Sequence, residues 1–135
     1  MNDSSSAPSP SPALAERIRL PRSVDERGAL LPFDFANLPF TPRRLFVVQD
    51  VPVGQQRGRH AHRSARQLFV CLAGRIGVEL RYQGAREYLT LKQPGDALLV
   101  PAGTWTAQDY LDAGSMLLVM GSEEFDPKSF LDEAS

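Results

Sequence analysis

Short apolar stretches, separated by glycine and proline, dominate the pattern of hydrophobic positions from Ile18 onward. Residues 67–72 form a nearly continuous apolar run, which is long enough for a buried strand and short for a helix. Between Ile76 and Tyr82 apolar and polar positions alternate, which is the period-2 pattern of a strand with one buried face. The same features predict further strands at 44–49, 86–91, 97–100 and 116–120.

Turn signals follow most of these strands, and helix signals are sparse. Gln83-Gly84 and Pro94-Gly95-Asp96 are typical of turns. Asp126 and Pro127 can act as N-cap and first residue of a short C-terminal helical turn. Strands and helices do not alternate, so we predict an all-β fold, a sandwich or a barrel.

The first residues of the chain have a different composition. Residues 1–12 contain five Ser and three Pro, and they have no large apolar side chain after Met1. Such a segment buries too little surface to offset its ordering entropy, so we predict a disordered tail over residues 1–15 and one domain over 16–135. The segment lacks the basic start and apolar stretch of a secretory signal, which makes the cytoplasm the expected location.

Composition excludes several classes of protein. Fifteen Lys and Arg balance 16 Asp and Glu in 135 residues, and this net charge of −1 does not favour nucleic-acid binding. The sequence has no apolar run of the roughly 20 residues that span a bilayer. A single cysteine, Cys71, excludes a disulfide framework and a multi-thiolate zinc site.

The two histidines of the chain, His60 and His62, are separated by one residue. Because residues i and i+2 of a strand point to the same face, a strand here carries both imidazoles on one side. One interpretation is a surface strand with two polar residues outward; the other is an acid–base pair in a pocket. Residues 57–66 also contain four arginines and no acid, and we expect Arg57 and Arg59 to bracket the histidines.

The spacing around the histidines resembles the two sequence motifs of cupins, which are small jelly-roll β-barrels. Five residues separate Gly54 from the pair, four separate the pair from Gln67, and six separate Gln67 from Gly74; Gly95, Pro101 and Gly103 match the second motif. In this resemblance Gln67 replaces a metal-binding Glu and Thr106 replaces a His. An amide and a hydroxyl are poor ligands for a transition ion, so we predict no bound metal and no cofactor.

Over roughly residues 18–132 the chain resembles the metal-free cupins that act as bacterial sugar-nucleotide 3,4-ketoisomerases. The resemblance is carried by Asp25-Glu-Arg-Gly28, Leu38-Pro-Phe40 with Arg43-Arg44, Arg57-Gly-Arg-His-Ala-His62, the segment 67–74, and Val100-Pro-Ala-Gly-Thr-Trp105. It implies an isomerase of deoxysugar and cell-surface polysaccharide biosynthesis that moves the keto group of a dTDP-4-keto-6-deoxyhexose from C4 to C3.

The resemblance also implies roles for individual residues. His60 becomes the base that removes the C3 proton, and His62 helps to move protons between the two oxygens. Arg57 holds the substrate or stabilises the enediolate, and Arg59, Gln67, Trp105 and Thr106 complete the expected substrate-binding set. For Trp105, stacking on the nucleotide or sugar and packing at the barrel mouth are both open.

Two regions depart from the ketoisomerase pattern and keep an alternative open. Family members commonly carry Tyr at Phe46 and Val47, and a His-Glu pair at Thr106 and Ala107. The loss of these polar groups allows a second hypothesis, a non-catalytic cupin that binds a nucleotide sugar or another carbohydrate. A metal-dependent cupin enzyme is disfavoured by its missing ligands. Proteins of this fold and size also lead us to expect a homodimer, since exposed sheet edges favour pairing.

Overall fold

The computed structural model describes residues 13–131, and nearly all regular structure in this range is β. The strands are β1 (Glu16–Arg19), β2 (Ser23–Asp25), β3 (Gly28–Leu30), β4 (Arg44–Val48), β5 (Gln56–His62), β6 (Gln67–Ala73), β7 (Ile76–Tyr82), β8 (Ala85–Leu91), β9 (Asp96–Val100), β10 (Trp105–Tyr110), β11 (Met116–Gly121) and β12 (Phe130–Leu131). Two single 3₁₀ turns, Phe35–Asn37 and Pro127–Ser129, are the helical parts of the described residues.

The long strands form two antiparallel five-stranded sheets, which confirms the predicted all-β class. The first sheet has the order β1-β9-β6-β11-β4 and the second has the order β12-β5-β10-β7-β8, while β2 and β3 form a separate hairpin. Neighbours within each sheet are mostly distant in sequence, as in a jelly roll. Hydrogen bonds do not close the sheets into one barrel within residues 13–131, so the fold there is a sandwich of two sheets.

The main core lies between the two sheets and follows the alternation of each strand. Phe69 and Cys71 of β6 point inward, as do Ile76, Val78 and Leu80 of β7. All five are at most 2% exposed. The predicted alternating strand at 76–82 is therefore confirmed, with its apolar face toward the core.

A second apolar cluster covers the outer face of the first sheet. Leu68 and Val70 of β6 point to this side and are fully buried. The segment between β3 and β4 covers them with Leu31, Phe33, Leu38 and Phe40. This cover buries both faces of β6, which explains why its sequence is continuously apolar rather than alternating.

Both ends of the described chain are held by contacts with the rest of the fold. At the C-terminal turn, Oδ1 of Asp126 accepts a hydrogen bond of 2.9 Å from the Lys128 amide, and Pro127 is the first residue, as predicted. Residues 1–12 of the predicted tail lie outside the described residues, while Ala15 is buried and belongs to the inter-sheet core. Within residues 13–131 the structure has no helix that is long and apolar enough to cross a membrane.

Candidate active site

The two histidines lie at the C-terminal end of β5, and their side chains point into the space between the sheets. The ring centroids of His60 and His62 are 5.2 Å apart, and the ring planes meet at 86°. His62 is the deeper of the two, with 8% of its surface exposed, whereas His60 is half-buried. This placement agrees with the pocket interpretation of the pair rather than with a solvent-facing strand.

The histidines open onto a cleft of about 470 Å³ at one end of the sandwich. The cleft combines basic, aromatic and aliphatic side chains from β4, β5 and the C-terminal segment. It is lined by Arg44, Phe46, Val47, Val48, Gln49, Arg57, His60, His62, Phe125 and Phe130. A small polar molecule that enters this cleft meets two imidazoles and two guanidinium groups.

A β-bulge in β5 determines which arginine joins the histidines. Thr106 of β10 pairs with His60, but the next residue, Ala107, pairs with Gly58, so Arg59 has no partner position. Gly58 and Arg59 both have positive φ, 88° and 70°. One extra residue reverses the alternation of a strand. Arg57 therefore shares the inner face with His60, although the two residues are an odd number of positions apart.

Gln108 of β10 packs directly against the bulge. A Cβ atom built on Gly58 would lie 2.7 Å from Oε1 of Gln108, which is closer than real Cβ atoms approach. The side-chain amide of Gln108 donates a hydrogen bond of 3.0 Å to Oγ1 of Thr106. The bulge thus favours glycine at position 58 for its backbone conformation, and any larger residue there would also require the side chain of Gln108 to shift.

Arg59 and Trp105 lie on the opposite, outer face of the second sheet. The guanidinium groups of Arg59 and Arg81 lie 5.6 Å and 4.6 Å from the centroid of the Trp105 ring. The ring is only 3% exposed and packs with Ala61 and Ala107. Neither of these two residues, both expected in the substrate-binding set, lines the histidine cleft.

The other two predicted residues, Gln67 and Thr106, are buried near the histidines. Gln67 is 7% exposed and lines a small pocket together with His62. Thr106 is 2% exposed, and its Cα lies opposite that of His60. Within residues 13–131 no group of three or more His, Cys, Asp or Glu side chains is arranged to hold a metal ion.

Burial controls the protonation of His62. Desolvation by burial, followed by Coulombic interaction with His60 and with Arg44, lowers the pKa of His62 from 6.5 to about 4. Its Nε2 is buried and has no hydrogen-bond partner among the described residues. At neutral pH the side chain is therefore an uncharged imidazole, and its Nε2 is a buried polar atom without a hydrogen bond within residues 13–131.

An aromatic wall on the C-terminal side of the cleft was not predicted from the sequence. Phe130 stacks on His60, with ring centroids 4.6 Å apart, and Phe125 lies 5.7 Å from Phe130. The guanidinium group of Arg44 lies over Phe46 and over Phe125, at 4.5 Å and 4.8 Å. The sequence predicts only a short helical turn that begins at Asp126 and Pro127, and the contact of Phe130 with β5 depends on a strand pairing of distant residues.

Solved structures of known proteins share this fold. A 3,4-ketoisomerase, QdtA, from Thermoanaerobacterium thermosaccharolyticum, a double mutant in complex with TDP, aligns with a TM-score of 0.85 at 24% identity, covering 91% of this chain and 90% of that one. A 3,4-ketoisomerase from Helicobacter canadensis aligns with a TM-score of 0.82 at 21% identity, covering 88% of this chain and 90% of that one.

Comparison with known sequences points to the same group of proteins as the comparison of structures. A TDP-4-oxo-6-deoxy-alpha-D-glucose-3,4-oxoisomerase from Aneurinibacillus thermoaerophilus is 27% identical over 115 residues, which cover 84% of this chain and 83% of that protein. The family model described as "FdtA: WxcM-like, C-terminal" matches residues 15–135. These matches confirm the predicted resemblance, and the chain belongs to the WxcM-like, C-terminal family.

Proposed function

We propose that the protein is an isomerase that moves the keto group of a dTDP-4-keto-6-deoxyhexose from C4 to C3. The observation that carries this proposal is that one cleft holds two imidazoles and a guanidinium group, those of His60, His62 and Arg57. The relative at 27% identity, which is named for this reaction on the glucose-configured substrate, supports it.

The chemistry requires a base beside a stabilised oxyanion. The proton on C3 is acidic because it is adjacent to the C4 ketone, and removing it produces an enediolate whose charge must be neutralised. In the proposal His60 takes the C3 proton. The C3 hydroxyl loses its proton as the C3 carbonyl forms, and C4 and its oxygen each gain a proton. The sugar gains and loses two protons, so no oxidant or reductant is required.

His62 and Arg57 have separate roles in this proposal. Because its pKa is lowered to about 4, His62 is neutral at pH 7 and can relay protons between the two oxygens as donor and acceptor. Arg57 supplies the positive charge for the diphosphate or for the enediolate. Thr106, opposite His60, and Gln67, beside His62, contribute uncharged polar atoms deeper in the fold.

The apolar residues of the cleft favour one alternative, a module that binds the nucleotide sugar without turnover. Phe46 points into the cleft, whereas Val47 lies at its rim on the outward side of β4. Family members commonly carry tyrosines at these two positions, and neither side chain of this protein can donate a hydrogen bond. Binding of dTDP measured by calorimetry, together with no conversion of the keto sugar, is the result that this alternative predicts.

The proposal includes a homodimer in the cytoplasm. β4 is an edge strand of the first sheet, and its outward residues Leu45 and Val47 are 52% and 48% exposed. Unpaired strand edges with apolar side chains favour association. Light scattering over a range of concentrations tests this part, and a mass of 14.9 kDa at every concentration would contradict it.

The reaction itself is tested by NMR of the sugar product. We expect the protein to convert dTDP-4-keto-6-deoxyglucose into its 3-keto isomer without added metal or nucleotide cofactor. Calorimetry with dTDP alone should show saturable binding. Intact substrate under conditions where dTDP binds would overturn the isomerase and leave the binding module, and absence of both signals would overturn both functions.

A further inference from the structure

Phe130 contacts both histidines of the candidate active site at once. Its ring is stacked on His60, at 4.6 Å and 16° between planes, and meets the edge of His62 at 4.7 Å and 79°. The two imidazoles are themselves nearly perpendicular, at 86°. One aromatic ring therefore packs against both imidazoles and restricts the planes of the two side chains together.

The backbone around Phe130 holds this ring in place. In β12 the Cα of Phe130 lies opposite that of His62, so the contact follows from strand pairing with β5. The amide of Arg63, just after β5, donates a hydrogen bond of 2.7 Å to the Ser129 carbonyl. The Asp126 side chain caps the preceding turn. These contacts position a short strand that would be too short to be stable on its own.

A second aromatic residue supports Phe130 from the solvent side. Phe125 meets the Phe130 ring at 85° with 5.7 Å between centroids, and the guanidinium group of Arg44 lies over the Phe125 ring. Phe125 itself is 57% exposed, so it forms the outer layer of the wall. Phe130 forms the inner layer, in direct contact with the imidazoles.

We infer that Phe130 is a positioning residue of the proposed isomerase, which fixes the planes of His60 and His62 and keeps water from His62. The inference rests on the proposed function for its kinetic consequence, but its structural consequence for the histidines is independent of any activity. An apolar ring at this position adds to the desolvation of His62. It also restricts the rotation of His60, whose orientation determines where a proton can be taken.

Several charged groups face His62 and contribute to its protonation. They come from β4, β5 and the C-terminal segment, and both signs are present. The groups that line the cleft or the small pocket with His62 are Arg44, Arg57, His60, Glu123, Glu124 and Asp126. A substitution of Phe130 alters none of these charges, so its effect on His62 reports water access and orientation.

The test compares Phe130→Ala with Phe130→Tyr, which keeps the ring. Proton NMR titration of the unliganded protein measures both imidazoles, and kinetics on dTDP-4-keto-6-deoxyglucose measures kcat and KM. In Phe130→Ala we expect the pKa of His62 to rise by at least about one unit as water reaches the ring. We expect kcat to fall about 10- to 100-fold and KM to change less than about 3-fold. Phe130→Tyr should keep the pKa of His62 and kcat close to their wild-type values.

Phe35→Ala is the matched control, because Phe35 is 51% exposed and lies in the other 3₁₀ turn, outside the residues that line the cleft. It should change neither readout. If Phe130→Ala does not fold, Phe130→Leu keeps apolar volume without a flat ring and should still lower kcat at least about 10-fold. A folded Ala or Leu variant with wild-type kcat and an unchanged His62 pKa would overturn the inference. If wild type lacks isomerase activity, the proposed function fails, and the titration alone decides the positioning role.

Discussion

Arg57 and His60 lie on the same face of β5 although two residues separate them, because the bulge at Gly58 and Arg59 inserts one unpaired residue between them. A regular strand would place Arg57 on the outer face, together with Arg59 and opposite to His60. The bulge brings Arg57 into the cleft and leaves Arg59 outside, beside Trp105. The presence of Arg57 in the candidate active site therefore depends on a backbone irregularity rather than on the sequence alternation.

This relationship predicts opposite outcomes for two neighbouring arginines. Arg57→Ala removes one of the two guanidinium groups of the cleft and should lower kcat/KM by about 100-fold or more, the usual cost of losing one oxyanion or phosphate partner. Arg59→Ala removes a side chain from the outer face and should change kcat/KM less than about 3-fold, with a loss of stability below about 1 kcal/mol from the Trp105 contact. Steady-state kinetics of both variants measures this difference. Equal losses of kcat/KM would contradict the placement of Arg57 on the inner face and Arg59 on the outer face of β5.

The bulge also predicts a specific cost for a methyl group at position 58. Gly58→Ala places Cβ within 2.7 Å of Gln108 and forces alanine to φ near 88°. We expect the free energy of unfolding to fall by about 2 to 3 kcal/mol. Gly84→Ala is the control, because Gly84 has a similar φ of 82° and its Cβ would meet nothing within 4 Å, so only the backbone cost of about 1 kcal/mol remains. Urea denaturation measures both variants. Equal losses in the free energy of unfolding would show that the Gln108 side chain moves away from the new Cβ at no cost.

The lowered pKa of His62 predicts that the free energy of unfolding falls in acid. Its pKa is about 4 in the folded protein against 6.5 as the ordinary value, so the unfolded chain binds this proton first as the pH falls. Stability is therefore unaffected by this group above about pH 6.5 and declines between that value and about pH 4.

A variant without the titrating ring isolates this effect from the carboxylates. Between pH 7 and pH 4.5 the wild-type free energy of unfolding should fall by about 2 to 3 kcal/mol more than that of His62→Gln. Urea denaturation at the two pH values measures the difference. An identical acid response of the two proteins would mean that His62 is accessible to protons in the native state.

The strands with strong apolar patterns were predictable from the sequence. The predicted strands at 67–72 and 76–82 match β6 and β7, because buried strands keep their pattern whatever packs on them. β10 was missed, because it carries polar Thr106 and Gln108 on its inner face and hides Trp105 and Ala107 on its outer face. Its burial arises from neighbours that the local sequence does not reveal.

The candidate active site was predictable only in part, for a similar reason. The i, i+2 spacing correctly placed both imidazoles on one face. Gly58 is the signal for the bulge, since isolated glycines inside strands often mark one, and a strict alternation of faces does not take it into account. The contact of Phe130 with the histidines needs β12 to pair with β5, where Phe130 lies opposite His62, a residue far away in the chain. Such pairings follow from topology and not from local propensity.

The central claim is that the paired imidazoles move protons on the sugar, and proton NMR in D₂O tests it most directly. With dTDP-4-keto-6-deoxyglucose, the wild-type protein should form the 3-keto isomer and introduce deuterium at C4, because the base exchanges its proton with solvent. His60→Asn should slow this conversion by about 100- to 10,000-fold while retaining dTDP binding. Conversion by His60→Asn at the wild-type rate, or a wild-type protein that binds dTDP and leaves the sugar unchanged, would contradict the account.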